Sequence, residues 1–306
     1  MLTDRRATRT SRAELFRALG VFAEQPGPAH PRLAGLLDLP VPSVSDWTEG
    51  FVVQLVPYAS IYLGTDGMLG GEPADRVAGF WRALRLPVPS DPDHLTALLG
   101  LYASLLDSEA SELEPARRLL WRQARTALLH EHLLSWLLPY AHGMADAGPE
   151  PYAHWAGLLA EALRAETAEV GVPDRIPAAL RELPELPAGD EAGLDAVVSA
   201  LLAPARSGIL LTRTHLAVAA RQRRLGVRLG DRRQTVRALL EQDAPAALAE
   251  LAAQARTWAG RHHADAAVTG PIAGHWAARA QATSGLLIGR ASAAGPLTHD
   301  QERNPR

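Results

Sequence analysis

Apolar residues in this chain recur three or four positions apart almost throughout, interrupted by proline or glycine at intervals of a helix length. Leu15, Leu19 and Phe22 form one such stripe; Val77, Phe80, Trp81 and Leu84 form a second; Trp155, Leu158, Leu159 and Leu163 form a third. Side chains at these spacings share one face of an α-helix, whereas a strand would need strict alternation. Alternating runs are nearly absent. The sequence therefore predicts an all-α fold in which every helix buries its stripe against others. With 306 residues, 47% of them hydrophobic and 21% charged, the chain carries enough apolar surface for a sizeable core.

The punctuation places the elements. Ser11 with Glu14 three residues on reads as a capping box, which leaves residues 1–10 as a flexible N-terminus. A short helix lies within "GPAHPRLAGLLDLPVPS", and Ser45 is expected to open another through Val52, Val53 and Val56. "GTDGMLGG", Gly64 to Gly71, reads as a glycine-rich loop ahead of a helix with Pro73 in its first turn. Pro87 and Pro89 end that helix. Asp91 as N-cap with Pro92 at the first helical position should start the next, with Asp93 in its first turn. A long helix is expected from Pro115 to Tyr140, kinked or ended by Pro139, and another from Pro151 to Val170. Residues 11–180 thus read as one helical domain. The proline- and charge-rich stretch 181–192 reads as a linker. Residues 193–290 read as an arginine-rich helical region, with helices near Leu194–Leu202, Thr212–Leu225, Arg232–Gln242 and Ala244–Trp258. Residues 291–306 read as a disordered tail.

Two absences exclude chemistry. The chain has no cysteine and no lysine; all 31 of its strong bases are arginine. Disulfides, thiolate nucleophiles, cysteine-bound zinc and iron–sulfur clusters are ruled out, as are Schiff bases and a P-loop lysine. The longest apolar run, "LLSWLLPYA" from Leu133, falls well short of the ~20 residues a membrane helix needs. The Arg5-Arg6 pair is followed by further charge rather than an apolar core, so it does not read as an export signal. A cytoplasmic protein without a membrane partner is expected.

Enzyme signatures are missing. His130 and His132 in "LLHEHLL" are two apart and do not share a helix face. His132 reads as a packing residue one turn before Trp136, and His262-His263 carries the same reading. Asp91-x-Asp93 lacks the glycine and glutamate of a calcium loop, and the glycines at 64, 67, 70 and 71 read as a turn. No metal site is expected. Arg206 to Arg237 holds nine arginines against one acid, Asp231, and could pass for a basic helix–turn–helix. A helical DNA-binding regulator using this segment is the alternative reading. A solvated or partner-facing surface is favoured over nucleic acid, because arginine is the only strong base the chain uses and aromatic interleaving is missing.

Three blocks together resemble a known family, the TorD/DmsD/NarJ chaperones of redox-enzyme maturation. "PYASIYLGTDGMLGG" (Pro57–Gly71) is similar to the family's Pro-x-x-Ser-x-Tyr-Leu segment and the glycine loop after it, with Pro57, Tyr58 and Ser60 at its start. "DPDHL" (Asp91–Leu95) resembles its E-P-x-D-H-[IL] motif, with Asp91 in place of glutamate. "LLHEHLLSWLLPYAHGM" (Leu128–Met144) resembles its H-L-x-x-W-x-x-x-[FY] helix through His132, Trp136 and Tyr140. The match runs over about residues 11–180. It implies a TorD-like helical bundle carrying an additional C-terminal helical region. It further implies a non-enzymatic cytoplasmic chaperone without a resident cofactor, although weak guanine-nucleotide binding is known in the family, as are domain-swapped homodimers. The partner implied is an apo-molybdopterin oxidoreductase and its twin-arginine signal peptide. Such a ligand joins arginines to an apolar helix, so its receptor needs carboxylates beside a groove. Asp66, Glu72, Asp75, Asp91 and Asp93 are the candidate carboxylates; Tyr62, Trp81, Leu84, Leu98 and Tyr102 are the candidate walls. Pro92 sits between the two acids. Asp93 and His94 are the leading site residues by motif position, with Asp91 and Asp93 expected to pair with the signal's arginines. Pro57, Tyr58, Ser60, His132, Trp136 and Tyr140 are expected to be structural.

Overall fold

Proline sets several helix starts, because its missing N–H falls where a helix has no internal partner for it. The computed structural model describes residues 2–187, 193–226 and 231–294. The first helices are α1 (Leu2–Phe22), α2 (His30–Leu37) and α3 (Val44–Trp47), the last passing into a π-helical turn over Thr48–Gln54. They are followed by α4 (Ala59–Leu63), α5 (Glu72–Ala83), α6 (Leu95–Ser111) and α7 (Pro115–Ala127). A second π-helical turn, Leu128–Leu133, leads to α8 (Leu137–Ala147), α9 (Glu150–Val170) and α10 (Ala178–Arg181). The C-terminal helices are α11 (Leu194–Leu201), α12 (Pro204–Ser207), α13 (Arg213–Gln222), α14 (Arg232–Ala264), α15 (Ala266–Thr269) and α16 (Pro271–Ala294). The described residues contain no strand, only an isolated antiparallel bridge between Tyr58 and His94. None of their helices is long and apolar enough to cross a membrane.

Several boundaries differ from the sequence expectation. The backbone is helical from Leu2, so Ser11 lies within α1 rather than capping it; no proline interrupts this stretch. Ser43, not Ser45, caps α3, in a capping box closed by Asp46. The expected Pro115–Tyr140 helix is divided at residues 134–136, ahead of Pro139. Pro139 then sits in the first turn of α8, where it costs no hydrogen bond. Helix α14 spans both segments expected around residue 243, bending at Asp243, whose φ of −157° and ψ of 87° are not helical, two residues before Pro245. Helix α16 continues through residues 291–294; the rest of the expected tail, 295–306, lies outside the described residues.

One core cluster runs from Ala13 to Leu287. Helix α1 lies along α6, α8 along α9, and α14 along α16. The C-terminal helices seat on the first half through specific bonds. Trp276 Nε1 donates to Ser135 O at 3.0 Å, His142 Nε2 meets Asp265 Oδ2 at 2.7 Å, and Gly143 packs against Leu210 and Leu55. The stretch expected as a linker is held as far as it is described: Arg279 donates to Leu183 O and Pro184 O, and Arg206 to Glu185 O. Residues 188–192 lie outside the described residues.

Candidate functional site

Two of the family-like blocks form one clasp. Leu95 N donates to Pro57 O, Ala59 N to Asp93 O, and Ser60 N to the Asp93 carboxylate at 2.9 Å. Tyr58, the N-cap position of α4, supplies no side-chain acceptor of its own. Asp93 delivers that acceptor from 33 residues away. The hydroxyl of Ser60 in turn accepts from Gly70 N, and Ser60 O from Gly64 N. Asp93 therefore supports the glycine loop through Ser60.

This corrects the leading site assignment. Asp93 is 3% exposed and its carboxylate is spent on Ser60. The N-cap of α6 is His94, not Asp91: its Nδ1 accepts from Thr96 N at 3.2 Å. A cationic histidine would oppose the helix dipole there. Burial, working against the nearby Asp91 and Asp93, holds the His94 ring below its ordinary pKa and keeps it neutral. The ring also meets Tyr58 edge-on at 4.8 Å. Asp91 is exposed, and Pro92 O accepts a long bond from Trp81 Nε1 at 3.4 Å.

The third block meets the first in an aromatic cluster. Tyr62 stacks on Trp136 at 5.1 Å and meets Tyr140 edge-on at 5.3 Å. All three rings are buried. Trp136 Nε1 donates to His132 O and the Tyr140 hydroxyl to Leu55 O. Tyr62 is thus a core residue, with its hydroxyl on Val56 O, and it walls no groove. Tyr102 and Leu98 are buried as well. The Tyr102 hydroxyl joins a charge network with Glu166 and Arg125, and burial with the adjacent Glu166 pushes its pKa far up, so it donates as a neutral phenol.

The groove lies on the other face of α5. A cavity of about 360 Å³ is lined by Leu63, Val77, Phe80, Arg76, Glu131 and His132, among others. A second of about 270 Å³ runs along the glycine loop, past Asp66, Met68, Leu69, Glu72 and Glu182. The two share Leu63, Pro73 and Ala179, so they adjoin as a trough along α5 and residues 178–183. Four carboxylates edge it, Asp66, Glu72, Glu131 and Glu182, against one arginine. His132 lies beside Phe80, and burial pushes its pKa down to about 4, so it adds no charge at neutral pH. Met68 and Leu69, on the loop, are 65% and 59% exposed.

Of the predicted residues, the structure brings Asp66 and Glu72 to this trough and leaves Asp91, Asp93, His94, Tyr62, Trp81 and Tyr102 out of its lining. Sequence reading missed Glu131 and Glu182. Glu131 is carried by the second π-helical turn, a local widening with no marker in the sequence. Its Oε2 accepts from Ala178 N, which fixes α10 against the trough. Glu182 sat in the presumed linker. Among the described residues no cluster of three or more histidines or acids is arranged to hold a metal ion.

Part of the arginine-rich segment is tied down within the fold. Arg206, Arg232 and Arg233 donate to Thr65 O, Leu211 O and Ser199 Oγ. Arg237 pairs with Asp195, and Arg223 with Glu250. Arg213, Arg221 and Arg224 are exposed; Arg228 lies outside the described residues.

The described residues, all helical or loop, thus set an apolar trough beneath a rim of acids. Comparison with known proteins gives a more particular answer. Residues 44–141 match the sequence model of the family described as "Nitrate reductase delta subunit". The "Chaperone protein TorD" of Vibrio vulnificus strain YJ016 is 35% identical over 98 residues, covering 30% of this chain and 44% of that protein. The protein of the same name from Photobacterium profundum is 30% identical over 90 residues, covering 28% of this chain and 42% of its own. This chain spans less than half the length of the curated relatives it matches. The matched segment is similar to the TorD-type chaperones, and it holds the clasp, the glycine loop, α5 and the Trp136 cluster. It is shorter than the 11–180 expected from the motifs.

Proposed function

We propose that this protein is a non-enzymatic cytoplasmic chaperone that holds an apo-molybdopterin oxidoreductase until its cofactor is loaded. The client is gripped by a twin-arginine signal peptide or an equivalent N-terminal segment, laid in the trough between α5 and residues 178–183. The observation that carries this reading is the pairing of apolar walls (Leu63, Val77, Phe80) with exposed carboxylates at the rim. Glu72 and Glu182 side chains are 62% and 63% exposed, so a guest can reach them. The TorD relatives support the chaperone role. The guest's arginines would pair with Glu72 and Glu182, while its apolar helix covers Phe80 and Val77.

Calorimetric titration with a synthetic peptide carrying an Arg-Arg pair ahead of an apolar stretch tests the reading. The double variant Glu72→Gln, Glu182→Gln should bind about ten- to a hundred-fold more weakly than wild type, the loss expected for charge-assisted hydrogen bonds. Asp91→Asn should bind as wild type does. Unchanged affinity in the double variant removes the trough from the site, and a loss confined to Asp91→Asn moves it back to the α6 tip.

A further inference from the structure

Arg76 stands across the trough just described. It lies one turn after Glu72 on α5 and lines the larger cavity. Its Nη2 donates to Glu182 Oε2 on the opposite bank, joining residues 106 apart in sequence. Its Nε lies against Glu72 Oε1 as an ion pair, yet it is buried and makes no aligned hydrogen bond. The two carboxylates that best fit a guest's arginine are therefore already held by a resident one. The resident's grip is loose, because both carboxylates are mostly in water, where such pairs contribute little.

We infer that Arg76 is a displaceable gate which raises the threshold for entry to the trough, a cost that only an arginine-bearing segment recovers. The inference rests on the trough being the client site. Arg76 lines one cavity and Glu182 the other, so a segment laid along both meets their bridge. A guest that brings its own guanidinium replaces the resident on the same carboxylates, and the exchange is close to balanced. A merely apolar guest loses the pair and puts nothing in its place. Arg76 thus raises the threshold for every guest, and only an arginine-bearing one recovers what opening the gate costs. For a chaperone in a cell full of unfolded apolar segments, this discourages promiscuous binding.

The test uses two synthetic peptides, the Arg-Arg peptide and its Gln-Gln counterpart, titrated into wild type, Arg76→Gln and Glu182→Gln. Circular dichroism should show the helices intact in both variants. Arg76→Gln should tighten both peptides about two- to five-fold, the size expected for release of an exposed pair. Glu182→Gln should split them: the Gln-Gln peptide tightens because the gate has lost its far anchor, and the Arg-Arg peptide weakens because it has lost a carboxylate. If Arg76→Gln tightens the Arg-Arg peptide alone, Arg76 acts as a like charge and not as a gate, and the inference fails. If Arg76→Gln weakens both, Arg76 is part of the binding wall, and it fails again. If neither peptide binds wild type or either variant, the trough is not the client site, and both readings fall together.

Discussion

Arg125→Ala should lower the folding stability of this protein by about 3–5 kcal/mol. Arg125 is 2% exposed and joins three helices. Its Nε donates to Glu109 Oε2 on α6 at 2.9 Å, and its Nη1 reaches Glu166 Oε2 on α9 at 3.1 Å and the Tyr102 hydroxyl at 3.2 Å. Glu109 and Glu166 are buried too. Each also meets a further arginine, Arg122 for Glu109 and Arg12 for Glu166. Removing Arg125 leaves two carboxylates inside the protein with part of their compensation gone, and a cavity where the guanidinium lay. The desolvation of the carboxylates dominates, so Arg125→Met, which restores much of the volume, should cost nearly as much. The triple variant Glu109→Gln, Arg125→Met, Glu166→Gln should recover most of the loss, because no charge is then stranded; Arg122 and Arg12 are partly exposed and can turn to water. Guanidinium unfolding followed by circular dichroism and tryptophan fluorescence together measures all three. A loss below about 1 kcal/mol in Arg125→Ala would show the network to be energetically idle.

How legible this site was follows from which contacts are local. The helix starts at Pro73 and Pro151 could be read directly, because a proline in a first turn acts on its own neighbours. The cap of α3 was missed by two residues, since Ser43 and Ser45 both precede the apolar run and only Ser43 meets Asp46 in a closed box. Asp93 was misjudged for a different reason. On the chain it is one of two acids at a helix tip, and the amide that claims it, Ser60 N, is 33 residues away. Tyr62 and Tyr102 are amphipathic side chains that suit a wet groove or a core equally well. Trp136, Val56 O, Glu166 and Arg125, all distant or unpredictable partners, decide for the core. Glu182 was passed over because prolines around it suggested a linker, and its position on the trough depends on Leu180 and Leu183 being buried. Asp93 supports the loop that forms one wall, while the rim acids come from that loop, α5, the π-helical turn and the end of α10.

The C-terminal helices complete this arrangement, and Gly208→Ala should show it, with an expected loss of about 2–5 kcal/mol. Gly208 ends α12 with φ of +72°, and a Cβ built there would run into Ala280 N and lie 2.6 Å from Trp276 O. Both are backbone atoms of α16, which cannot step aside as a side chain could. Left-handed backbone alone costs a non-glycine residue roughly 1–2 kcal/mol. Gly70→Ala isolates that part, because Gly70 has φ of +84° and open space within 4 Å. The excess of Gly208→Ala over Gly70→Ala is then the packing cost, expected at roughly 1–3 kcal/mol. The damage should spread. Gly208 O accepts from His262 Nε2, Ser207 O from Thr283, and Trp276, one turn before Ala280, is seated on Ser135 O beside the break that precedes α8. Pushing α16 away from α12 therefore loosens the seat of Trp276 on the half that carries the trough. Hydrogen exchange in Gly208→Ala should rise in α12 and α16 and also around residues 134–136, while Gly70→Ala disturbs only the glycine loop. Equal stability losses in the two variants would mean that α12 and α16 have room to part, and that the close backbone contact at Gly208 contributes nothing to holding the two halves together.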